Sequence, residues 1–177
     1  FSQVDQAILD TEVVKIKSDA TDIASGLVKL GDIFGTLAVG DYYKTASNDW
    51  GGDETTYYSS AGSIIGRKVV DTFTFTDPQS NTITQTNTQY FDADWNWLGD
   101  AASDANFSRK FFVFEDTTAK TRTEVSEEVG GNFSRKSVFN YANDQFTGGI
   151  EIENDITYQV SANFSRQAEA LSSTALT

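Results

Sequence analysis

The densest group of oxygen-bearing side chains in the sequence lies between residues 92 and 104. Asp92, Asp94 and Asn96 stand at alternate positions, and Asp100 and Asp104 follow at intervals of four residues. A calcium loop takes ligands at positions 1, 3, 5 and 9, because the hard cation needs six to eight oxygen atoms around it. The sequence therefore predicts a calcium site formed by Asp92, Asp94, Asn96 and Asp100, with Asp104 as a further ligand.

This loop differs from an EF-hand, and a second interpretation stays open. Trp97 occupies position 6, where glycine is usual, and Ser103 occupies position 12 in place of glutamate. The alternative is a solvated turn between two strands, in which Asp and Asn side chains accept backbone hydrogen bonds. The polar run 48–54 is a weaker version of the same pattern.

Three tryptophans stand in or beside these polar loops, at positions 50, 95 and 97. A flat apolar ring can stack on the C–H face of a pyranose, so Trp50, Trp95 and Trp97 are candidates for carbohydrate binding. The alternative is that these rings are half-buried parts of ordinary strands.

The composition excludes several classes of site. Cys and His are absent, so thiol nucleophiles, zinc fingers and Ser-His-Asp triads cannot form. A net charge of −13, from 13 basic and 26 acidic residues, disfavours nucleic acid and anionic membranes as partners. No apolar run reaches the roughly 18 residues of a membrane span. With so many acids, paired carboxylates carry no information, and we expect a protein that is not an enzyme.

The sequence also favours a location outside the cell. The chain starts at Phe1 and contains no Met, as expected of a processed secreted protein or of a piece excised from a longer one. The lack of both Cys and Met suits an oxidising environment in which disulfides are not used. We therefore expect an extracellular or cell-surface protein.

Period-two patterns and turn residues predict an all-β fold from residue 41 to residue 166. Runs 71–77 and 82–88 alternate Thr with other residues around a turn at 77–81, and so predict a hairpin. Gly130-Gly131 predicts another tight turn. Asn143-Asp144 and Gly148-Gly149 are expected to punctuate the following pair of strands, 137–141 and 150–160. An antiparallel meander or sandwich of hairpins is the simplest architecture.

The two ends of the chain differ from this central region. Residues 1–40 are apolar and glycine-rich, with a strand predicted around 13–17. Ile23, Leu27 and Leu30 have helical spacing, but the nearby glycines weaken a helix, so one short helix or a further pair of strands is expected there. Residues 167–177 form a C-terminal tail.

An internal repeat runs through the second half of the sequence. Asn-Phe-Ser-Arg occurs at 106–109, 132–135 and 163–166, and Gly66-Arg67-Lys68 resembles its end. Such self-similarity indicates stacked units, here one two-stranded hairpin each, with Phe inward, Ser and Lys outward, and Arg covering the core with its stem. The tetrapeptide also matches the acceptor pattern for N-glycosylation at Asn106, Asn132 and Asn163, although the repeat itself explains all three copies.

The threonines of the predicted hairpin lie on one of its faces. This arrangement suggests ice binding as a lesser alternative for the function. Regular Thr spacing on a flat strand pair is a feature that an ice-binding surface would need, although hairpin twist works against flatness. These residues are Thr72, Thr74, Thr76, Thr82, Thr84, Thr86 and Thr88.

The run from Tyr90 to Asp100 is similar to units of large, repetitive, acidic bacterial surface or secreted proteins. The tail from Ala168 to Thr177 resembles the uncleaved C-terminal signals of type I secreted proteins of the RTX kind. This resemblance implies export, calcium-dependent folding outside the cell, and an adhesive or structural role.

Together these observations predict a non-enzymatic extracellular structural or adhesive β-repeat protein that is calcium-stabilised. Exposed edge strands of a repeat can template another subunit, so copies of the chain or other surface proteins are expected partners. The element exchanged is expected to be residues 1–11, with Val4, Ile8 and Leu9, or the C-terminal tail. A carbohydrate-binding module that takes polysaccharide is the alternative.

Overall fold

A computed structural model describes residues 2–3, 13–15, 26–28, 33–34, 37, 40–49 and 51–168 of the chain. The strands in chain order are β1 (Ser2–Gln3), β2 (Val13–Lys15), β3 (Gly26–Val28), β4 (Tyr42–Ser47), β5 (Asp53–Tyr58), β6 (Ile64–Thr76), β7 (Thr82–Asp92), β8 (Trp97–Ser103), β9 (Ser108–Asp116), β10 (Thr121–Val129), β11 (Ser134–Ala142), β12 (Gln145–Glu153), β13 (Ile156–Ser161) and β14 (Arg166–Ala168).

Twelve of these strands form one antiparallel sheet in the order β1-β4-β5-β6-β7-β8-β9-β10-β11-β12-β13-β14. From β4 onward each strand pairs with the next along the chain, so the predicted all-β fold of antiparallel hairpins is confirmed as a meander. The sheet is open, with β1 and β14 at its two ends. Within the described residues no helix is long and apolar enough to cross a membrane.

Of the two alternatives for the N-terminal segment, a short helix or a pair of strands, the described residues form the pair of strands. β2 pairs with β3, with Val13 opposite Val28. β-branched residues favour extended backbone, and Gly26 lowers the stability of a helix by about 1 kcal/mol relative to Ala. Ile33 and Phe34 have helical backbone conformation. Val4, Ile8 and Leu9, and the tail beyond Ala168, lie outside the described residues.

The strand alternation gives the sheet two different faces. One, the core face, carries residues that are at most 5% exposed: Tyr57, Tyr90, Phe112, Val125 and Val138. The opposite face, the arginine face, carries the four arginines of the repeat and of its Gly66-Arg67-Lys68 relative.

The N-terminal segment covers part of the core face. Ile33, which is 9% exposed, forms one buried cluster with Tyr57, Tyr90 and Phe112. Phe34 packs against the same cluster, and a Cβ on Gly66 would lie 2.3 Å from its ring. Glycine at 66 therefore allows the N-terminal segment to approach the backbone of β6 closely.

A second cluster continues the core face across the later strands. Val125, Val138 and Ile150 lie directly opposite one another on β10, β11 and β12. Val138 is 1% exposed. Burying such a side chain contributes about 1.5 to 3 kcal/mol relative to leaving it in water, so this register stabilises the C-terminal half of the sheet.

Several hairpins share one five-residue turn. In each, the N–H of the first residue donates to the carbonyl of the fifth, and the N–H of the fourth donates back to the carbonyl of the first. The fourth residue has a left-handed conformation. These turns span 48–52, 59–63, 77–81, 92–96 and 161–165, with positive φ at Gly51, Gly62, Ser80, Trp95 and Phe164.

Two other hairpins use two-residue turns, and one of them corrects the sequence prediction. Asn143 and Asp144 both have positive φ, as predicted for a turn between β11 and β12. Asn154 and Asp155 repeat this conformation between β12 and β13. Positive φ at both central residues suits the type I′ turn that matches strand twist. The run 150–160 is therefore two strands, and Gly148-Gly149 lies inside β12 beside a bulge instead of forming a turn.

Candidate functional site

The phenylalanines of the Asn-Phe-Ser-Arg repeat do not face the core, so that prediction was wrong. Phe107, Phe133 and Phe164 are 40%, 37% and 63% exposed. Phe107 and Phe133 end the turns at 104–107 and 130–133, where the N–H groups of Asp104 and Gly130 donate to their carbonyls.

The other repeat positions are also reversed from the prediction. Ser108, Lys110, Ser134 and Lys136 lie on the core face, because they alternate with arginines of the opposite face. The predicted two-stranded unit fits the first interval, which contains β9 and β10. The second interval contains three strands, β11, β12 and β13. Because the strands are antiparallel, the third copy lies at the opposite ends of the strands from the first two.

The arginines of the repeat pair with acids on neighbouring strands. Arg109 lies 3.4 Å from Asp100. Arg135 lies 3.5 Å from Glu151, and Arg166 lies 3.3 Å from the same carboxylate. Arg166 also lies 3.4 Å from Glu153. The repeat thus builds a ladder of ion pairs across the arginine face, in which the Glu151 side chain is only 6% exposed.

Arg67 has a different role, which accounts for Trp95. Its guanidinium donates to the carbonyls of Asp92 and Ala93 at 3.2 and 2.7 Å. The same group lies 4.3 Å from the centre of the Trp95 ring, which also packs against Phe91 at 5.3 Å. Trp95 is therefore engaged with its own turn, although 49% of it is exposed.

The predicted calcium residues begin at this turn. Asp92 accepts hydrogen bonds from the N–H of Asp94 and Asn96 at 2.9 and 2.8 Å and from the Asn96 side chain at 2.9 Å. Burial would raise the pKa of Asp92, but these bonds and the charge of Arg67 prevail and lower it. Asp77 makes the same set of bonds with Gln79 and Asn81.

The remaining predicted ligands lie elsewhere. Asp100 is in the middle of β8 and pairs with Arg109. Asp104 begins the next turn, at the other end of β8, where it accepts from the N–H of Asn106 and Phe107 at 2.7 and 2.9 Å. The structure thus brings Asp92, Asp94 and Asn96 together but separates them from Asp100 and Asp104. Nowhere in the described ranges do three acidic side chains form a group able to hold a metal ion.

A groove of about 440 Å³ lies on the arginine face across β8 to β11. Trp97, which is 42% exposed, stacks on Phe111 with ring centres 5.7 Å apart and an interplanar angle of 15°. The floor contains Ser126 and Ser137, which are directly opposite in register and hydrogen-bonded to each other. Charged residues and Phe139 complete the lining on this face: Asp100, Arg109, Glu124, Glu128 and Arg135.

Asp100 is the electrostatically unusual residue of this groove. Its Oδ2 faces Arg109, whereas its Oδ1 is buried and has no hydrogen-bond partner among the described residues. Burial raises the pKa of Asp100, and the Arg109 guanidinium opposes that effect. The Asp100 side chain is 26% exposed, and because Oδ1 is buried, Oδ2 beside Arg109 is the oxygen that a ligand in the groove could reach.

The threonine hairpin forms as predicted and extends beyond its neighbours. β5 pairs with β6 only as far as Val70, and β8 pairs with β7 only from Thr86. Cross-strand hydroxyl pairs at 3.2 and 3.5 Å join Thr74 to Thr84 and Thr72 to Thr86. Ice binding by this face stays a prediction, which a measurement of thermal hysteresis tests.

No protein-family model, curated protein or solved structure matches the chain. The choice of the groove as the candidate site is therefore based on its geometry alone. Sequence reasoning identified Trp97 and Asp100 but missed Phe111, Ser126 and Ser137, which become neighbours only through strand register. Trp50 lies outside the described residues.

Proposed function

We propose that the chain is a non-enzymatic structural or adhesive β-repeat protein of the cell exterior. The observation that carries the proposal is the open meander, in which successive hairpins add side chains to one continuous face. Such a sheet lengthens by adding hairpins, and each hairpin extends the surface available to a partner. This economy suits a protein that covers or joins surfaces.

The composition supports the assignment to the exterior. The chain has no Cys and no Met, so it offers oxidants neither a thiol nor a thioether. A net charge of −13 keeps separate molecules apart in the absence of a specific contact. The proposed adhesive contact must therefore come from a defined surface.

Self-assembly through a sheet edge is the most direct form of this function. β14 is the last of the described strands in the sheet and pairs with β13 through only three residue pairs, from Arg166 to Ala168. The other side of an edge strand offers N–H and C=O groups that a further strand can bind. A second copy of the chain has an edge of the same kind.

Sedimentation velocity over a range of protein concentrations tests this assembly. We expect concentration-dependent oligomers that are lost in Gln167→Pro or in Ala168→Pro. Both variants are needed because consecutive N–H groups of a strand point to opposite sides. Gln167→Ala, which keeps the N–H, is the matched control. A wild-type chain that sediments as a monomer at every concentration, with and without calcium, would contradict assembly.

Calcium stabilisation is the second part of the proposal. A cation held by Asp92, Asp94 and Asn96 would neutralise a turn of a strongly acidic chain, and it would need water or further oxygens to complete its coordination. Binding to the folded state alone contributes about 2.7 kcal/mol at a hundredfold excess over Kd. Thermal melts in EDTA and in millimolar calcium measure this contribution. We expect a rise in Tm that Asp94→Ala removes, whereas equal values of Tm would exclude the site.

A further inference from the structure

The groove on the arginine face has an aromatic wall that is held in place. Phe111 covers one side of the Trp97 indole in a nearly parallel stack, while 42% of Trp97 stays exposed. A supported, partly exposed ring presents a flat apolar surface at low entropic cost, because its side chain is already fixed. The other tryptophan in the described region, Trp95, lies under Arg67.

The floor of the groove is polar. Phe111, Ser126 and Ser137 are successive cross-strand neighbours, so two small side chains follow one large ring. Ser137 is only 4% exposed and its hydroxyl pairs with that of Ser126. Each hydroxyl keeps hydrogen-bonding capacity beyond this one bond, since a hydroxyl can both donate and accept.

The rim of the groove carries negatively charged hydrogen-bond acceptors and positively charged donors. Asp100 is 26% exposed and presents Oδ2, which lies 3.4 Å from Arg109, while its Oδ1 is buried. Glu128 lies between Arg109 and Arg135 in register. A carboxylate beside an arginine can accept from one hydroxyl of a ligand while the guanidinium donates to the next.

We propose that this groove binds a pyranose unit of a neutral polysaccharide, with the sugar's C–H face on Trp97 and its hydroxyl groups on Asp100, Arg109 and the serine floor. The inference rests on the proposed adhesive function and names the chemical class of its ligand. The volume of about 440 Å³ lies within the range of about 300 to 1,000 Å³ common for small-molecule sites.

Other ligand classes fit this lining less well. A purely apolar ligand would displace water from Asp100 and the two serines without offering a hydrogen bond in its place, which is unfavourable for buried polar groups. An anionic ligand would meet Asp100, Glu124 and Glu128, and Arg135 is already paired with Glu151 at 3.5 Å. A neutral sugar satisfies the apolar ring and the polar groups together.

Intrinsic fluorescence of the full chain tests the proposal. The sequence has three tryptophans, so a Trp50→Phe/Trp95→Phe background leaves Trp97 as the sole reporter. The probes are cellohexaose, xylohexaose, mannohexaose and chitohexaose. We expect at least one of them to change the Trp97 emission saturably. In the wild-type background, isothermal titration calorimetry with that probe should show affinity lowered about tenfold or more by Trp97→Ala and by Asp100→Asn.

Trp95→Ala is the matched control, because Trp95 has similar exposure but lies outside the groove lining. Its affinity should stay within about twofold of wild type, and circular dichroism checks that each variant is folded. No saturable change with any of the four probes would overturn the proposal, as would equal losses from Trp95→Ala and Trp97→Ala. Sedimentation of the same samples distinguishes failure of sugar binding from failure of the proposed function. A chain that assembles but binds no sugar would contradict the sugar site and still support the proposed function.

Discussion

Two glycine-to-alanine substitutions with no steric consequence should change stability in opposite directions. A Cβ on Gly51 or on Gly130 has no neighbour within 4 Å in the described part of the molecule. Gly51 has a φ of +84°, whereas Gly130 lies outside the left-handed region. The two sites therefore differ in backbone conformation and not in packing.

The magnitudes follow from this difference. Left-handed backbone costs a residue with a Cβ about 1 to 2 kcal/mol. Alanine also lowers the entropy of the unfolded chain, which stabilises the protein by about 0.4 to 1 kcal/mol where the native backbone is compatible. We expect Gly51→Ala to lower the free energy of unfolding by about 0.5 to 1 kcal/mol and Gly130→Ala to raise it by about 0.4 to 1 kcal/mol.

Urea unfolding monitored by circular dichroism, with thermal melts as a second measure, decides the matter. A gap of about 1 to 2 kcal/mol corresponds to a difference in Tm of roughly 2 to 8 °C for a chain of this size. Ser80→Gly provides a reverse test, since Ser80 has a φ of 67° at the equivalent turn position and should gain stability. Changes of the same sign at Gly51 and Gly130 would refute the assignment of left-handed backbone to Gly51.

Four other substitutions test the core and the charges. Phe112→Ala, at a residue 1% exposed, should cost about 3 to 5 kcal/mol in urea unfolding, and a loss below 1 kcal/mol would contradict its place in the core. Glu151→Gln leaves two arginines without their shared carboxylate and should cost about 1 to 3 kcal/mol, with unchanged Tm as the contrary result. At pH 7, Asp92→Asn should lower the stability of the fold and Asp100→Asn should raise it. The pKa of Asp92 is lowered, so its charge stabilises the fold above about pH 4 and this contribution is lost in acid. The pKa of Asp100 is raised, so its charge opposes folding at neutral pH. Melts from pH 3 to 7 should show both variants converging on wild type in acid.

Turn chemistry made much of the fold predictable from the sequence. Asp77 to Asn81 and Asn143-Asp144 are residues whose side chains or backbone preferences suit their turns, so local chemistry placed the strand boundaries. Gly148-Gly149 misled for the same reason, because glycine also suits a bulge within a strand. Asn154-Asp155 carried the signal of the missed turn and repeats the dipeptide at 143–144.

The orientation of the repeat and the shape of the groove could not be predicted from local sequence. Alternation predicts that a strand has two faces but not which of them another segment covers. Phe107 and Phe133 resemble core residues by type and are exposed because the chain reverses there. Trp97, Ser126 and Ser137 are distant in the sequence, and only the register of four successive strands brings them together.

The order of strands from β4 to β14 also bears on how the chain folds. Every strand pairing along this part of the sheet joins strands that are neighbours in sequence, so contact order is low for an all-β protein and each pairing closes only a short loop. A growing chain can therefore add hairpins one after another, each docking on an edge that already exists. The pairing of β1 with β4 is the exception, because it closes a loop of nearly forty residues and must await the arrival of Tyr42 and Tyr43. Gain or loss of a whole hairpin by duplication or deletion would leave the remaining pairings intact, which makes the length of such a sheet easy to change in evolution.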